Sequence, residues 1–350
     1  MIRPLTTDTN DVTHAPHAST DAPMGRLSAQ TLFDPQTRDL LTHRLRAVIL
    51  LAGTLRPDAI QQAVSRSLLE MPVDAHRTVQ TCWHEHLARL TDHLHLHHLP
   101  VRILIDRQTR PPQHWPRHNP SVAVSIERDP FELRGTGGLL RDVTLDYDDD
   151  DFVLVADAAQ LLFAPLWSVL HRLGRTPGDV RLLARGDGSP AGFMLLRCGP
   201  LRHLPPVGFV DFKEQGLPRL AASFAVHVAR WRARPVGCSL ATPGLPLRHA
   251  PGYLHALRCW AMQLRRAAGQ HADLPDWRPA FSLIEPGAAV HPHALLHDSV
   301  VLVGGRVEAD AVLVRCVVGP GGYIRAAGMR TDTWIAAPRR LRRSASTPHA

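Results

Sequence analysis

The chain has 350 residues, a formal net charge of +8 at pH 7 and five cysteines. This length can hold a full catalytic domain and a smaller second domain, since domains typically contain about 100–200 residues. The cysteines are odd in number and widely spaced, with no C-x-x-C pair, which is typical of a reduced cytosol. No apolar run reaches about 18 residues and the N-terminal residues lack a signal-peptide pattern, so the sequence predicts a cytoplasmic protein without a membrane partner.

The positive charge consists almost wholly of arginine, because Lys213 is the single lysine. The arginines are spread through apolar segments and do not form one block, which disfavours a nucleic-acid partner. The preference for arginine over lysine is more typical of a GC-rich coding sequence than of a surface that contacts a phosphate backbone.

Strands and helices alternate through the first half of the chain. Residues 1–45 contain few large apolar side chains and predict a disordered or loosely packed extension. An apolar strand then begins at Arg46, helix-spaced apolar residues follow from Ile60 to Leu69, and a second strand covers Val101 to Asp106. This alternation indicates an α/β domain with a mixed, mostly parallel sheet, which we assign to residues 46–275.

A histidine-rich helix between these two strands raises the question of a metal site. It contains His84-Glu85-His86 and four further histidines between His93 and His98. Neither group matches H-E-x-x-H, and no cysteine or aspartate cluster lies beside them. Alternating histidine and leucine are better explained as the cover of one helix or strand face.

The stretch from Arg134 to Asp157 is the strongest candidate for a binding site. The glycine-rich turn Gly135–Gly138 leaves room for a close backbone approach and offers N–H groups that suit a nucleotide or phosphate. Asp157 directly follows the strand Phe152–Val155, so we expect it at the carboxyl edge of the sheet, where ligands bind in open α/β folds. Its carboxylate suits Mg²⁺. Alternatively, the glycines form only a tight turn and Asp157 caps the next helix.

Residues 280–326 show a different periodicity. Apolar residues recur about every six positions with one slip, and small residues follow four places after many of them, which is the signature of hexapeptide repeats in a parallel β-helix. The apolar positions after Ile284 are Val290, Leu296, Leu302, Val307, Val312, Val318 and Ile324. A small β-sandwich would need a period of two. The arginine-rich residues 327–350 predict a basic, disordered tail.

Seven segments between Arg46 and Trp260 resemble, in the same order, the motifs of sugar-phosphate nucleotidyltransferases, a family that includes mannose-1-phosphate guanylyltransferases and glucose-1-phosphate uridylyltransferases and thymidylyltransferases. The segments are Leu51–Pro57 (signature loop), Ser65–Leu69 (K-P-L or K-A-L-L), Arg134–Gly138 (L-G-T-A-G), Val155–Asp157 (N-G-D), Ala191–Met194 (A-G-I-Y), Phe209–Leu220 (D-x-K-E-x-x-[LI]-P-x-L) and Ala250–Leu254 (T-P-E-D-Y-L).

The resemblance implies a Rossmann-like nucleotidyltransferase domain followed by a short left-handed parallel β-helix. It also implies Mg²⁺-dependent synthesis of a nucleotide sugar from a nucleoside triphosphate and a sugar-1-phosphate, with release of pyrophosphate, and a homo-oligomer or a complex with a paralogous subunit. The site residues that it implies are Ala52, Gly53, Thr54, Gly135, Thr136, Gly137 and Gly138 for the nucleotide, Gly192, Lys213 and Glu214 for the sugar phosphate, Asp157 for the metal, and Arg56 and Arg66 as catalytic cations.

Several departures from the family pattern leave the activity open. The phosphate loop is shortened to Gly53–Arg56, the active-site lysine is replaced by Arg66 or Ser67, the V-E-K-P segment has no match, and the second metal-binding aspartate is absent near Leu247–His249. The chain is therefore expected to be a weakly active nucleotidyltransferase or, alternatively, a degenerate homologue that serves as a ligand-sensing or regulatory subunit of an active enzyme. A hexapeptide-repeat acyltransferase is disfavoured, because there are few repeats and no histidine is placed at a junction between them.

Overall fold

The computed structural model describes residues 33–53, 59–64, 66–106, 109–116, 119–129, 134–232, 242–269 and 281–337. The helices in these ranges are α1 (Pro35–Asp39), α2 (Ala59–Val64), α3 (Val79–Leu94), α4 (Gly135–Val143), α5 (Leu166–Gly174), α6 (Cys198–Leu201), α7 (Leu217–Ala221) and α8 (Ala250–Ala267), with shorter helical turns at Leu40–Arg44, Leu68–Glu70 and Phe212–Gly216. None of the helices in the described ranges combines the length and the apolar character that crossing a membrane requires.

Nine strands belong to the α/β part of the chain. They are β1 (Leu45–Leu51), β2 (Leu99–Ile105), β3 (Val122–Arg128), β4 (Phe152–Asp157), β5 (Gln160–Leu162), β6 (Val180–Ala184), β7 (Pro190–Arg197), β8 (Val226–Arg230) and β9 (Gly244–Pro246). Seven of them form one sheet in the order β3-β2-β1-β4-β7-β6-β8, and β5 pairs with β9 separately. Only β7 is antiparallel to its neighbours in the large sheet, so the prediction of a mixed, mostly parallel sheet is confirmed.

The large sheet is covered on both faces, as is usual when parallel strands are joined by helices. In β1, Val48 and Leu50 belong to a core that includes side chains of α3, α5 and α8. Ala47 and Ile49 point to the opposite face and pack with residues of α4, α6 and α7. Because both faces of β1 are covered by other side chains, every residue from Ala47 to Leu50 is buried. This burial explains the continuous apolar run in the sequence.

The segment before β1 is helical and packs against the core, whereas the sequence predicts a disordered or loosely packed extension. The described residues from Phe33 to Arg44 form α1 and a helical turn, and the side chains of Phe33 and Leu41 are buried in the core. Asp34 caps α1 by accepting a hydrogen bond from the Thr37 backbone N–H at 3.0 Å. A few apolar side chains therefore suffice to hold this segment in place, because they pack into a core that the sheet and the other helices form.

Residues 281–337, here called the repeat region, form three short parallel sheets. Their strands are β10 (Ser282–Ile284), β11 (Ala289–Val290), β12 (Leu295–His297), β13 (Ser299–Val301), β14 (Arg306–Val307), β15 (Val312–Val314), β16 (Val317–Val318), β17 (Tyr323–Ile324), β18 (Met329–Thr331) and β19 (Trp334–Ile335). Equivalent residues in neighbouring strands, such as Val300 and Val317, are 17 positions apart. The parallel strands are compatible with a β-helix, whose left-handed form stays a prediction.

The interior of the repeat region departs from the predicted positions in two places. Its buried cluster includes Val301 and Leu313, where the sequence pattern indicated Leu302 and Val312. Leu302 is buried instead in the core of the α/β part. The strands also continue to Ile335, nine residues past the predicted boundary at residue 326. The 17-residue spacing explains the two interior positions, since Val301 is the register partner of Ile284 and Leu313 is the register partner of Leu296.

The repeat region packs directly on the α/β part. Leu283, Val300 and Val317 from β10, β13 and β16 join the same buried core as α8. Beside this contact, Arg66 forms a bidentate ion pair with Glu285, in which Nη1 donates to Oε1 at 2.6 Å and Nη2 donates to Oε2 at 2.9 Å. The two side chains are only 19% and 14% exposed, so each charge depends on the other for its neutralisation.

We expect Glu285→Gln to lower the free energy of unfolding by about 1–3 kcal/mol, because it leaves a largely buried Arg66 without its carboxylate. Glu308→Gln is the matched control: it removes the partner of the exposed Arg306 and should cost less than about 1 kcal/mol. Urea denaturation measures both. Equal losses in the two variants would show that the Arg66–Glu285 pair is not a buried link.

Because Leu313 lies inside the repeat region and Leu295 lies on its surface, we expect their replacement by alanine to lower the free energy of unfolding by different amounts. Leu313→Ala should cost about 2–5 kcal/mol because it opens a cavity among fully buried side chains. Leu295→Ala removes the same atoms from a side chain that is 65% exposed, and it should change stability by less than about 1 kcal/mol. Urea denaturation of the two variants would contradict the assignment if the losses were alike.

Candidate functional site

The candidate site lies where the chain reverses its direction across the large sheet. From β1 the chain adds β2 and β3 on one side, and it then returns to place β4 on the other side of β1. The carboxyl ends of β1 and β4 therefore form a topological switch point, the place where open α/β sheets bind ligands. Leu51 and Asp157 are register partners there, and the Ala158 N–H donates to the Leu51 carbonyl at 3.1 Å.

Four of the predicted site residues meet at this edge: Ala52, Gly53, Asp157 and, as described below, Gly192. The Ala52 N–H donates to the Leu104 carbonyl at 2.9 Å, which holds the end of β1 against β2. Gly53 has a φ of +115°, and its carbonyl accepts a hydrogen bond from the Asp106 N–H at 2.8 Å. The predicted residues Thr54 and Arg56 lie outside the described ranges.

Asp157 is held by two hydrogen-bonding partners. Its Oδ1 accepts from the Ala159 N–H at 3.0 Å, in the turn that leads from β4 to β5. Its Oδ2 accepts from Arg248 Nη2 at 2.7 Å and Nε at 3.2 Å. Arg248 follows β9, and β9 pairs with β5, which begins just after Asp157. This strand pairing therefore places Arg248 beside Asp157. Asp157 is 24% exposed and Arg248 is 42% exposed, which leaves the pair accessible from solvent.

Gly192 lies against the same carboxylate. It is the third residue of β7, which runs antiparallel to β4, and its φ is +80°. A Cβ atom there would lie 3.3 Å from Asp157 Cβ and 3.2 Å from Gln160 Nε2. A Cβ atom at Gly244 would lie 2.8 Å from Gln160 Oε1. The two glycines thus leave room for the Gln160 amide between β7 and β9.

Gln160 is the most confined polar side chain of this group. It is only 2% exposed, and its Nε2 atom has no hydrogen-bond partner. A buried amide nitrogen without an acceptor costs stability, so its presence needs an explanation. We refer to Asp157, Gln160, Gly192, Gly244 and Arg248 together as the Asp157 cluster.

The residues of the Asp157 cluster do not fit the Mg²⁺ site that was expected at Asp157. Mg²⁺ is bound by several oxygen ligands in near-octahedral geometry, usually including carboxylates. Asp157 supplies the one carboxylate of the cluster, and each of its oxygens already accepts a hydrogen bond. In the described ranges of the chain, no group of three His, Cys, Asp or Glu residues is arranged to hold a metal ion.

The predicted glycine turn lies in a second place, at the start of α4. Gly135, Thr136, Gly137 and Gly138 are all buried; Gly135 and Gly137 lie against Val210, and Gly138 lies against the Arg134 side chain. A Cβ atom at Gly135 would lie 2.5 Å from the Val210 carbonyl oxygen, and the Gly137 N–H donates to that oxygen at 2.8 Å. The glycines thus permit close packing of two backbone segments. Their predicted contact with a nucleotide is not tested by this arrangement.

Lys213 and Glu214 belong to this second place. Both side chains are exposed at the start of the helical turn Phe212–Gly216, and Asp211 Oδ1 accepts from their backbone N–H groups at 2.8 and 2.9 Å. Nearby, the buried Arg134 donates to Asp142, and this hydrogen bond raises the pKa of Arg134. The sugar-phosphate roles of Lys213 and Glu214 stay predictions.

The structure also reveals partners that sequence reasoning missed. Arg66, predicted as a catalytic cation, is engaged by Glu285 of the repeat region. Arg248 lies where the family pattern has its second metal-binding aspartate, and the sequence pattern assigns no role to Gln160 or Gly244. The one signal for Gln160 was a polar residue in the apolar run from Ala158 to Ala164. Its contact with Gly192 depends on a strand pairing that no local pattern encodes.

Two glycines with the same backbone strain test the crowding around Gln160. Gly188→Ala places a side chain at φ +86° with no atom within 4 Å, and it should cost about 1–2 kcal/mol from the left-handed backbone alone. Gly192→Ala adds contacts with Gln160 and Asp157, so its loss should exceed that of Gly188→Ala by about 1–3 kcal/mol. Urea denaturation measures both, and equal losses would show that the neighbours of Gly192 move aside.

The solved structures similar to this chain include two of the same protein. HddC from Yersinia pseudotuberculosis matches with a TM-score of 0.42 and 12% sequence identity, over 62% of this chain and 100% of that chain. HddC from the same organism complexed with GMP-PN matches with a TM-score of 0.42 and 11% identity over the same shares. No protein-family model matches the chain, and no curated protein matches it. The interpretation of the site therefore rests on the sheet order and on the contacts of the Asp157 cluster.

Proposed function

We propose that the chain is a nucleotidyltransferase-like protein that binds a nucleoside phosphate or a sugar phosphate at the switch point between β1 and β4. The observation that carries this proposal is the Asp157 cluster, in which a cation, a buried amide donor and a close backbone approach at Gly192 meet at that edge. A switch point is the usual ligand site of such sheets. The order of the seven sequence motifs supports the same class of ligand.

The catalytic form of this function would join a nucleoside triphosphate to a sugar-1-phosphate and release pyrophosphate. Such a reaction depends on positioning of the phosphates and on neutralisation of their charge. In the described part of the chain, Arg66 donates to Glu285 and Arg248 to Asp157. Each of these cations therefore shares its charge with a carboxylate, so we expect slow turnover at most.

The same two ion pairs favour a second candidate, a ligand-sensing or regulatory subunit of an active nucleotidyltransferase. Binding needs only shape and a few hydrogen-bonding groups, whereas phosphoryl transfer needs strong neutralisation of the developing charge. In addition, Arg66 and Glu285 connect the α/β part with the repeat region, a link that serves structure rather than chemistry. A homo-oligomer or a complex with a paralogue is the setting in which such a subunit would act.

Calorimetric titration of the full chain with GTP, UTP and dTTP, and with mannose 1-phosphate and glucose 1-phosphate, tests the proposal in the presence of Mg²⁺. We expect saturable binding of at least one of these ligands. Gly192→Ala should weaken binding at least about tenfold because its Cβ atom enters the Asp157 cluster, whereas Gly188→Ala should not change it.

A parallel assay of pyrophosphate release separates the two candidates. Release that requires both substrates and disappears in Asp157→Ala would identify an enzyme, whereas binding without release would identify the ligand-sensing subunit. If none of the five compounds binds at millimolar concentration, the proposed function is wrong.

A further inference from the structure

The carboxylate of the Asp157 cluster is already paired with a cation, the guanidinium group of Arg248. Arg248 approaches Asp157 with two nitrogen atoms, both of which donate to Oδ2. The Ala159 N–H takes the other oxygen. A metal ion that bound Asp157 Oδ2 would have to compete with a guanidinium group, which is always charged at ordinary pH and well suited to carboxylate.

Gln160, which lies next to the pair of Arg248 and Asp157, presents a hydrogen-bond donor, whereas a metal site would present oxygen ligands. Gln160 Nε2 is buried, lacks a hydrogen-bond partner, and lies against Gly192. An amide N–H₂ group needs an acceptor, and phosphoryl oxygens accept hydrogen bonds from both amides and guanidinium groups. The donor of Gln160 and the positive charge of Arg248 are therefore complementary to an anionic oxygen and not to a cation.

We propose that Arg248 takes the place of the divalent cation at Asp157, so that the cluster binds a phosphoryl oxygen of the ligand without a metal ion. Arg248 supplies positive charge, Asp157 holds Arg248 in position, and Gln160 Nε2 donates to the ligand oxygen. This inference rests on the proposed function for the identity of the ligand class. The phosphoryl group belongs either to a nucleotide or to a sugar phosphate.

The arrangement also sets a limit on the charge that the cluster presents. A carboxylate paired with one guanidinium has no net charge, whereas a carboxylate paired with a divalent cation keeps one positive charge. Attraction to a highly charged triphosphate is weaker in the first case. The cluster is thus suited to recognition of a phosphate group more than to stabilisation of a transition state.

The first experiment measures metal binding directly and needs no organic ligand. Mn²⁺ is titrated into the full native chain and into Asp157→Asn, and free Mn²⁺ is followed by electron paramagnetic resonance. We expect the two proteins to bind Mn²⁺ equally, with no site that depends on Asp157. A Mn²⁺ site in the native chain that disappears in Asp157→Asn would overturn the proposal.

The second experiment measures ligand binding by calorimetry in EDTA and in Mg²⁺. The probes are GTP, mannose 1-phosphate, glucose 1-phosphate and inorganic pyrophosphate, which separate a nucleotide from a sugar phosphate and from a bare anion. Affinity for the probe that binds should agree within about twofold between the two buffers. Binding that requires Mg²⁺ would overturn the proposal.

Variants assign the binding to individual side chains. In EDTA, Arg248→Gln should weaken binding at least about tenfold, and Arg219→Gln, which removes the same charge from an exposed position on α7, should leave it unchanged. Gln160→Met should weaken binding about tenfold, while its melting temperature stays the same or rises, because the buried amide that it removes lacks a partner for Nε2. Native affinity in Arg248→Gln or Gln160→Met would overturn the assignment.

The two experiments keep this inference separate from the proposed function. If no probe binds in either buffer, the proposed function fails, and with it the assignment of a phosphoryl oxygen to the cluster. The Mn²⁺ titration still decides whether Arg248 replaces a metal at Asp157. If a probe binds only with Mg²⁺, the proposed function stands and the metal-free site does not.

Discussion

Because β1 is buried on both faces, the chain must cover it with helices on each side, and this requirement determines where the site lies. The strands β2 and β4 flank β1 on opposite sides, and the chain reaches β4 only after β2 and β3, so the strand order reverses between β1 and β4. Asp157, at the end of β4, is 24% exposed there. The position of Asp157 is thus a consequence of sheet order.

Sequence patterns predict the parts of this architecture that local physics controls. The apolar runs that became β1, β2 and β4 are readable because buried parallel strands need side chains that are apolar on both faces. The position of Asp157 at a carboxyl edge follows from the strand that precedes it. The parallel strands after residue 281 are readable as a repeat, although the 17-residue spacing moved two interior positions by one residue.

Contacts between distant segments were beyond the reach of sequence reasoning. The pairing of β5 with β9 brings Arg248 to Asp157 across 91 residues of chain, and Arg66 reaches Glu285 across 219 residues. Isolated arginines in an arginine-rich chain carry no local signal that distinguishes these roles. The same holds for the glycine run at α4, whose composition suits a phosphate as well as it suits the close packing of Val210 that the structure shows.

The ion pair between Arg66 and Glu285, together with the core that both regions share, makes the repeat region difficult to separate from the α/β part. Leu283, Val300 and Val317 give the repeat region an apolar side that, within the described residues, packs in the core of the α/β part. Arg258 and Asp298 form a further charged contact across the same boundary. A repeat region transplanted to another protein would carry an uncovered apolar surface and unpaired charges. We therefore expect substitutions on one side of the boundary to restrict which residues the other side can accept.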